Sequence, residues 1–341
     1  MIKESIVKIV ERIDLEEDEM AEVVEQMMEG VVTESQIGAF LLGLRMKGES
    51  ISEITGAAKV MIEKSIKIKT IHPNVVDLCG TGGDQQSTFN VSTVASFIAA
   101  GAGVAVAKHG NRSVSSQTGS ADVLEELGVN INLSPKGAES CLNEIGYVFL
   151  FAPAYHPAMK SVSKPRRDIG VRTIFNILGP ITNPAGVKHQ VLGVYSEVLL
   201  KSMAKVLRNL GCIRAMVVHG ADSLDEITVT GKTQIAELKE GMVKSYQFDP
   251  SEFNFKRRRL EDLRGGNARE NAQILTSILK GEDRDAKREV SVLNAAAAIL
   301  VSGTASDMKE ALELADESID SKKALTKLND YIKFTVSWKE Q

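Results

Sequence analysis

The sequence predicts an α/β protein with a small N-terminal helical domain and a larger α/β domain, which has a mostly parallel central sheet flanked by helices. The first 66 residues show helical patterns only, and from residue 75 onwards short β-branched runs alternate with helical segments. That alternation is typical of βα units in a largely parallel sheet. A chain of 341 residues is also long enough for two domains with sizeable cores.

The N-terminal segments place apolar residues at spacings of three and four, which predicts amphipathic helices. Two of these segments end at Gly30 and Gly48, and glycine commonly ends a helix. Thr33 followed by Gln36 predicts a capping box, and Ser52 followed by Thr55 predicts a second N-cap. We therefore expect a compact bundle of helices.

Five apolar runs predict the strands of the sheet: VVDLC, GVAVA, YVFLF, VLGVY and AMVVHG. Residues 165–184 interrupt this alternation with a helical segment bounded by proline and asparagine, which could pack back on the N-terminal helices. We therefore predict a helical domain of residues 1–70 joined by the segment near 165–185. The α/β domain then comprises residues 71–164 and 186–341.

Composition excludes several classes of protein. A net charge of −4 gives no long-range field that would gather nucleic acid or a membrane surface. Cys79, Cys141 and Cys212 show neither a disulfide framework nor metal-ligand spacing, which fits a reducing cytoplasm. The N-terminus lacks the apolar core of a signal peptide, and no window of 18 apolar residues occurs. We expect a cytoplasmic protein that binds neither nucleic acid nor membranes.

The stretch DLCGTGGDQQSTFNVST, residues 77–93, predicts a phosphate site. Three glycines follow a strand and precede a helix that begins near Ser92, so the backbone can approach an anion at the helix N-terminus. The loop matches neither the dinucleotide fingerprint nor the P-loop, because no Lys-Ser/Thr pair closes it. Several polar residues able to contact phosphate oxygens follow instead: Asp84, Thr88, Asn90, Ser92 and Thr93.

A second polar cluster, residues 107–128, follows the run GVAVA. In a parallel sheet its loop should emerge at the same edge as the glycine loop, so both can face one ligand. Lys108 and Arg112 supply positive charge, and His109 and Asn111 supply hydrogen bonds. The hydroxyl-rich run that ends at Ser120 could wrap a phosphate.

Two further clusters supply acidic and basic side chains. Asp225 and Glu226 follow the run AMVVHG, and hard oxygen ligands of this kind suit Mg²⁺ held together with substrate phosphates. Arg166 and Arg167 stand in KPRRDIG, where a planar guanidinium could bind a carboxylate or phosphate. Either arginine could instead be part of an ion-paired helix.

The set of motifs resembles the anthranilate phosphoribosyltransferase family over nearly the whole chain. The matching stretches are QIGAFLLGLRMKGES, GTGGD, NVST, KHGNRSVSS, GVRTIFNILGPITNP, LDEI, GGNARENA and VLNAAAAILVSG. The resemblance implies transfer of a phosphoribosyl group from 5-phosphoribosyl 1-diphosphate to the amine of anthranilate, in tryptophan biosynthesis. It also implies Mg²⁺ as the cofactor and a homodimer formed through the helical domain.

The resemblance also implies roles for individual residues. Those implied for phosphoribosyl diphosphate are Gly80, Thr81, Gly82, Gly83, Asp84, Thr88, Asn90, Ser92, Thr93, Lys108 and Ser120. Those implied for anthranilate are Gly80, His109, Asn111 and Arg166, and those implied for the metal are Ser92, Asp225 and Glu226. Two positions depart from the pattern, since many relatives have glycine where this chain has Gln85 and Ser223.

The predicted reaction needs charge neutralisation more than a nucleophile from the protein. Anthranilate has its own amine lone pair, so His109 is only a weak candidate for proton transfer. We expect domain closure to exclude water, with hinges near residues 67–75 and 160–190. Two alternatives stay open at this point. One is a pyrimidine nucleoside phosphorylase, although members of that family carry a different lysine motif where this chain has KHGNR. The other is a non-catalytic relative that binds nucleic acid.

Overall fold

The computed structural model describes residues 1–83, 86–113 and 118–339, and it confirms the predicted fold class. The α-helices are α1 (Ile2–Val10), α2 (Glu17–Glu29), α3 (Glu34–Lys47), α4 (Ile51–Glu63), α5 (Val91–Gly101), α6 (Ser120–Glu126), α7 (Pro135–Ile145), α8 (Ala152–Tyr155), α9 (Lys160–Ile169), α10 (Phe175–Leu178), α11 (Leu199–Asn209), α12 (Ala268–Leu279), α13 (Ala286–Ser302), α14 (Met308–Asp320) and α15 (Lys323–Ser337). The strands are β1 (Val76–Gly80), β2 (Val106–Gly110), β3 (Tyr147–Phe151), β4 (His189–Gly193), β5 (Arg214–Gly220), β6 (Thr233–Lys239) and β7 (Met242–Phe248). Short 3₁₀ turns span Pro157–Met159, Gly179–Ile181, Pro250–Phe253 and Leu260–Leu263.

The capping residues of α2 and α3 lie where the sequence predicts them. The hydroxyl of Thr33 accepts a hydrogen bond from the backbone N of Gln36 at 3.3 Å, and the two residues form a capping box. Gly30 and Gly48 end the two helices with φ of 72° and 90°. Such positive φ values favour glycine, because glycine has no Cβ to clash with the backbone.

The N-cap predicted at Ser52 is wrong by two residues. Ser50 caps α4, and its hydroxyl accepts a hydrogen bond from the backbone N of Glu53 at 3.2 Å. Glu53 lies three residues after Ser50 and completes the capping box. Thr55 lies three residues after Ser52, but a capping box needs glutamate or glutamine at that position. The Glu53 carboxylate is fully buried and also accepts a hydrogen bond from the backbone N of Leu15 at 3.0 Å.

Helix α9 lies far along the chain but packs against α2 and α3. Its Val162 is fully buried in the same apolar core as the N-terminal helices. Residues 170–184, here called the crossing segment, then return the chain to the sheet. Near its end, Asn183 donates hydrogen bonds to the carboxylate of Asp77 at 2.8 Å and to the carbonyl O of Ala107 at 2.7 Å. The crossing segment therefore joins the helical layer to β1 and β2.

The strand order of the sheet is β3-β2-β1-β4-β5-β6-β7. Strands β1 to β5 pair in parallel, and Gly80 at the end of β1 lies opposite Gly193 at the end of β4. Because the carboxyl ends of parallel strands meet at one edge, the loops after β1, β2, β4 and β5 emerge together there. We call this the carboxyl edge.

The antiparallel hairpin of β6 and β7 is not among the predicted strands. The two strands are joined by Glu240 and Gly241, with φ of 52° and 74°. Two consecutive residues with positive φ are typical of the tight turn that matches the twist of a hairpin. The signal available in the sequence was the alternation of polar and apolar residues on both sides of this Glu-Gly pair.

Alanine and glycine bring the helices of the α/β part close together. Helix α13 is buried from Val290 to Ser302, and it packs against α5. A Cβ added at Gly101, at the end of α5, would lie 2.5 Å from the backbone N of Ala324, so this contact requires glycine. Among the described residues, no helix has both the length and the apolar character needed to cross a membrane.

Candidate active site

The glycine loop at the end of β1 is shaped by close contacts as well as by backbone conformation. Gly82 and Gly83 have φ of 65° and 76°. A Cβ at Gly80 would lie 2.3 Å from Oδ2 of Asp225, so the absence of a side chain at residue 80 makes room for that carboxylate. The three glycines thus allow an acidic group and the backbone N–H groups to approach one point.

Thr81 is held by β4. Its backbone N donates a hydrogen bond to the carbonyl O of Gly193 at 2.9 Å, and its hydroxyl accepts one from the backbone N of Tyr195 at 3.0 Å. Asp84, which the sequence assigns to the same loop, lies outside the described residues. The described part of the loop is therefore fixed to its neighbouring strand.

Asp225 and Glu226 contact the two backbone segments that are predicted to bind phosphate, the glycine loop and the start of α5. Oδ2 of Asp225 accepts a hydrogen bond from the backbone N of Gly82 at 2.8 Å. Oε1 of Glu226 accepts one from the backbone N of Ser92, in the first turn of α5, at 3.1 Å. The acidic pair therefore spans the glycine loop and the N-terminus of α5, where an anion is favoured.

Asn90 precedes α5, and its side chain belongs to a hydrogen-bond network that the sequence interpretation missed. Its amide N donates to the carbonyl O of Thr118 at 3.2 Å, and its amide O accepts from the side chain of Asn271 at 3.0 Å. The amide O of Asn271 in turn accepts from the backbone N of Gly266 at 2.8 Å. The motif GGNARENA was the available signal, and its Asn271 joins Gly266 to Asn90.

Thr88 and Thr93, on either side of the start of α5, have different surroundings. Thr88 forms an isolated antiparallel bridge with Arg264, so the chain before α5 is fixed to the segment that precedes α12. Thr93 is fully buried, and its hydroxyl has no hydrogen-bond partner within the described ranges. A polar atom buried in this way costs free energy unless a ligand or water satisfies it.

Lys108 lies in β2, although we expected it in a loop after residues 103–107. The strand begins three residues later than predicted, at Val106, so Lys108 is only 2% exposed. Its ammonium donates hydrogen bonds to the carbonyl O of Leu78 at 2.5 Å and to the hydroxyl of Ser92 at 3.1 Å. Lys108 therefore ties β1 to the start of α5 and places a positive charge beneath the glycine loop.

His109 follows in β2 and is also buried. Its Nδ1 lies 3.0 Å from the carbonyl O of Gly179, so this nitrogen carries the proton and donates it. Burial, with the nearby His156 and Lys108, lowers the pKa of His109 to about 3. Burial likewise lowers the pKa of His156 to about 4, and the two rings are 5.2 Å apart. At neutral pH both rings are uncharged, which makes His109 a poor proton acceptor.

Asp77 is a buried carboxylate that the sequence interpretation missed. It accepts hydrogen bonds from the backbone N of His109 at 3.1 Å and from Asn183 at 2.8 Å. Burial raises the pKa of Asp77 to about 6, although the charge of Lys108 and these hydrogen bonds lower it. Asp77 therefore joins β1, β2 and the crossing segment behind the cleft.

Asn111 and Ser120 lie at the carboxyl edge after β2, and the Ser120 hydroxyl donates to the carbonyl O of Asn111 at 3.3 Å. Arg112 points elsewhere than expected. Its guanidinium donates to Asp122 at 2.9 Å and to Glu125 at 2.8 Å. The positive charge that the sequence assigned to this loop is thus neutralised by α6.

Arg166 and Arg167, in the last turn of α9, differ in exposure. Arg167 is exposed, whereas Arg166 is half-buried with its guanidinium carbon 5.1 Å from the centroid of the Phe175 ring. Burial lowers the pKa of Arg166. Within the described parts of the chain its guanidinium makes no hydrogen bond or ion pair, so its donors are available to a ligand.

Arg172, in the crossing segment, contacts the glycine loop directly. Its Nη2 donates a hydrogen bond to the carbonyl O of Gly83, and its guanidinium carbon lies 4.5 Å from the centroid of the Tyr195 ring. The sequence interpretation gave this arginine no role, because nothing local in GVRTIFN indicates which loop it reaches.

Comparison with known proteins gives consistent results along the chain. The glycosyl transferase family, helical bundle domain, matches residues 3–65, and the glycosyl transferase family, a/b domain, matches residues 72–325. The anthranilate phosphoribosyltransferase of Alkaliphilus metalliredigens is 54% identical over 335 residues, covering 98% of each chain.

Solved structures share the fold. The anthranilate phosphoribosyltransferase of Thermus thermophilus superposes with a TM-score of 0.93 at 39% identity, covering 98% of this chain and 99% of that one. The Saccharomyces cerevisiae enzyme, solved in complex with PRPP and Mg, gives a TM-score of 0.90 at 29% identity, covering 99% and 98%. The same yeast enzyme was also solved in complex with 4-fluoroanthranilate.

Proposed function

Because the chain belongs to the anthranilate phosphoribosyltransferase family, we infer that the loops at its carboxyl edge form the active site. The enzyme transfers the phosphoribosyl group of 5-phosphoribosyl 1-diphosphate to the amine of anthranilate and releases diphosphate. Family membership decides against the pyrimidine nucleoside phosphorylase. The observation that supports this location best is the acidic pair, which contacts both the glycine loop and the start of α5.

We propose that phosphoribosyl diphosphate lies between the glycine loop and the N-terminus of α5. The backbone N–H groups there favour an anion, and Lys108 adds positive charge from beneath. The residues proposed to bind it are Gly80, Thr81, Gly82, Gly83, Asp84, Thr88, Asn90, Ser92, Thr93, Lys108 and Ser120. Thr81 and Thr88 act on this site mainly by fixing the backbone, since their contacts are to the protein. The buried hydroxyl of Thr93 has no partner among the described residues, so a substrate oxygen or water could satisfy it.

Mg²⁺ is the cofactor, and the residues of this cleft fit it. Asp225 and Glu226 supply hard carboxylate oxygens beside the loop where the diphosphate is proposed to bind, and the missing side chain at Gly80 makes room for one of them. Among the described residues no group of three acidic, histidine or cysteine side chains could hold a metal alone. We therefore propose that Asp225, Glu226 and Ser92 hold the ion jointly with substrate phosphates. The bound ion supplies charge that neutralises the diphosphate.

We propose that anthranilate lies between β2 and the end of α9. The donors of Arg166 have no partner among the residues that the structure describes and could bind the carboxylate of anthranilate, and Asn111 is exposed at the carboxyl edge. His109 is uncharged, so it can form one side of an aromatic pocket without repelling or protonating the amine. Gly80 is also proposed for this group, and the room left by its missing side chain is occupied by the Asp225 carboxylate.

In the reaction, the ribosyl C1–O bond breaks and its electron pair leaves with the diphosphate, while the amine lone pair forms the new C1–N bond. Lys108 and the loop N–H groups stabilise the charge that develops on the leaving group. Because Arg166 holds the carboxylate and so orients the amine towards C1, the reaction does not need a strong general base. The amine then loses its proton to solvent.

The test is consumption of anthranilate, followed by its fluorescence. The purified protein should consume anthranilate only when phosphoribosyl diphosphate and Mg²⁺ are both present, and the product should have the mass of N-(5-phosphoribosyl)anthranilate. Unchanged fluorescence with folded protein and all three components would rule the assignment out.

We also propose the finer points of organisation. The helical domain comprises residues 1–70 and the segment near 165–185, with closure about hinges near 67–75 and 160–190, because α9 packs on the N-terminal helices. A homodimer through this domain is supported by apolar side chains exposed on α1 and α3. These are Val7, Val10, Leu42 and Met46. The free cysteines fit a cytoplasmic location.

A further inference from the structure

Arg172 packs directly on the glycine loop. In addition to its hydrogen bond to the carbonyl O of Gly83, its Nη2 would lie 2.4 Å from a Cβ at that residue. Residue 83 therefore has no room for a side chain while the guanidinium is in this position. The close approach places a full positive charge at the loop whose N–H groups face the proposed diphosphate.

The ring of Tyr195 fixes the orientation of this guanidinium. Tyr195 follows β4, and its backbone N is bound to the hydroxyl of Thr81 at 3.0 Å. The guanidinium carbon lies 4.5 Å from the ring centroid, within the range of a cation–π contact. The loop, the ring and the arginine thus form one connected unit.

The charge of Arg172 has no counter-ion among the described residues. A guanidinium has five N–H donors, and within the described ranges one donor of Arg172 is used, on a neutral carbonyl. By contrast, Arg112 pairs with Asp122, and Arg258 pairs with Glu289. Lys108, the other cation at the loop, already has its ammonium bound by protein oxygens.

We propose that Arg172 is a further binding residue for the diphosphate group of the substrate. This rests on the proposed function, which places the diphosphate at the glycine loop. The unused donors form charge-assisted hydrogen bonds to diphosphate oxygens, and these bonds strengthen as the C1–O bond breaks and negative charge moves onto the leaving group. Because Arg172 belongs to the crossing segment, diphosphate binding also fixes that segment to the loop.

The experiment measures binding of magnesium pyrophosphate by calorimetry, without anthranilate and without turnover. Arg172→Gln should raise the Kd for magnesium pyrophosphate by about 10- to 150-fold, the range for loss of a charge-assisted hydrogen bond. It should raise the KM for phosphoribosyl diphosphate similarly and change the KM for anthranilate little. Arg167→Gln, in the exposed turn just before the crossing segment, is the matched control and should bind as the wild type does.

A wild-type Kd and a wild-type KM for phosphoribosyl diphosphate in Arg172→Gln would overturn the proposal. So would a defect confined to the KM for anthranilate. Arg172→Met keeps the stem on Tyr195 and carries the same test if the glutamine variant does not fold, as judged by its melting temperature. If the wild-type protein bound magnesium pyrophosphate but left anthranilate unchanged, only the transferase assignment would be refuted. The Kd values of the variants would still decide the role of Arg172.

Discussion

Lys108 and Arg166 are both cations of the cleft, but the described part of the chain provides hydrogen-bond partners for Lys108 and none for Arg166. The ammonium of Lys108 is bound by a carbonyl and a hydroxyl, so its role includes holding β1 against α5. The guanidinium of Arg166 rests on Phe175 with its donors unused among the described residues. A residue of the second kind can be removed with little effect on folding and a large effect on ligand binding.

We therefore expect Arg166→Ala to raise the KM for anthranilate by about 10- to 150-fold, because one charge-assisted hydrogen bond to the substrate carboxylate is lost. The KM for phosphoribosyl diphosphate and the melting temperature should change little. Steady-state kinetics with each substrate varied in turn gives the answer, and Arg167→Ala is the control. A defect mainly in phosphoribosyl diphosphate, or one seen only in Arg167→Ala, would show that this site is assigned incorrectly.

The acidic pair can be tested with variants that keep its hydrogen bonds. Asp225→Asn and Glu226→Gln retain an oxygen that can accept from the backbone N of Gly82 and Ser92, but they lose the charge that binds a cation. We expect the Mg²⁺ concentration for half-maximal activity to rise by roughly one to two orders of magnitude in the double variant. Its melting temperature should stay within a few degrees of the wild type. Wild-type activity of the double variant at low Mg²⁺ would contradict the metal role.

At the scale of elements, the strands and loops of the carboxyl edge were predictable because their signals are local. Glycines followed by polar residues mark the loop after β1, and the alternation of strands and helices marks the parallel sheet. The sequence could not indicate the contacts between residues that lie far apart in the chain. The hydrogen bonds of Asp77 to Asn183, and of Arg172 to Gly83, join residues about 90 or more positions apart. The sequence also predicts Lys108 in a loop, because a charged residue is rarely buried inside a strand.

The loop after β5 contains a residue in an unfavourable conformation. Ser223 has φ of 69°, in the left-handed region, and it is one of the two positions where this chain departs from the glycine of many relatives. We predict that Ser223→Gly stabilises the protein by about 0.5–1 kcal/mol, because glycine adopts this φ without the steric cost of a Cβ.

Urea unfolding at constant pH measures this change. Ser196→Gly, in a bend without positive φ, is the control and should be neutral or destabilising. A Ser223→Gly variant no more stable than the wild type would mean that the backbone relaxes at this residue.

At the scale of the whole molecule, the exposed apolar side chains of α1 and α3 lie on two helices in close contact, since a Cβ at Gly43 would lie 3.0 Å from Ile9. Val10 is 74% and Met46 is 72% exposed. We predict that Val10→Glu with Met46→Glu converts a dimer to a monomer, because burying two unpaired carboxylates at an interface costs several kcal/mol.

Sedimentation equilibrium distinguishes the 36.9 kDa chain from a particle of twice that mass. Val198→Glu, at a position 86% exposed in the loop before α11, should leave the dimer intact. A wild-type particle with the mass of one chain, or a double variant that stays dimeric, would contradict the proposed interface.

The packing of α9 against α2 and α3 has a consequence for synthesis of the chain. The ribosome makes α2 and α3 early, but α9 begins only at Lys160. At about 5–20 residues per second, roughly 5–20 s pass between the end of α4 and the appearance of α9. During that interval the surface that Val162 later covers is exposed to water and to chaperones. The N-terminal helices therefore complete their native packing only after β1, β2 and β3 have been made.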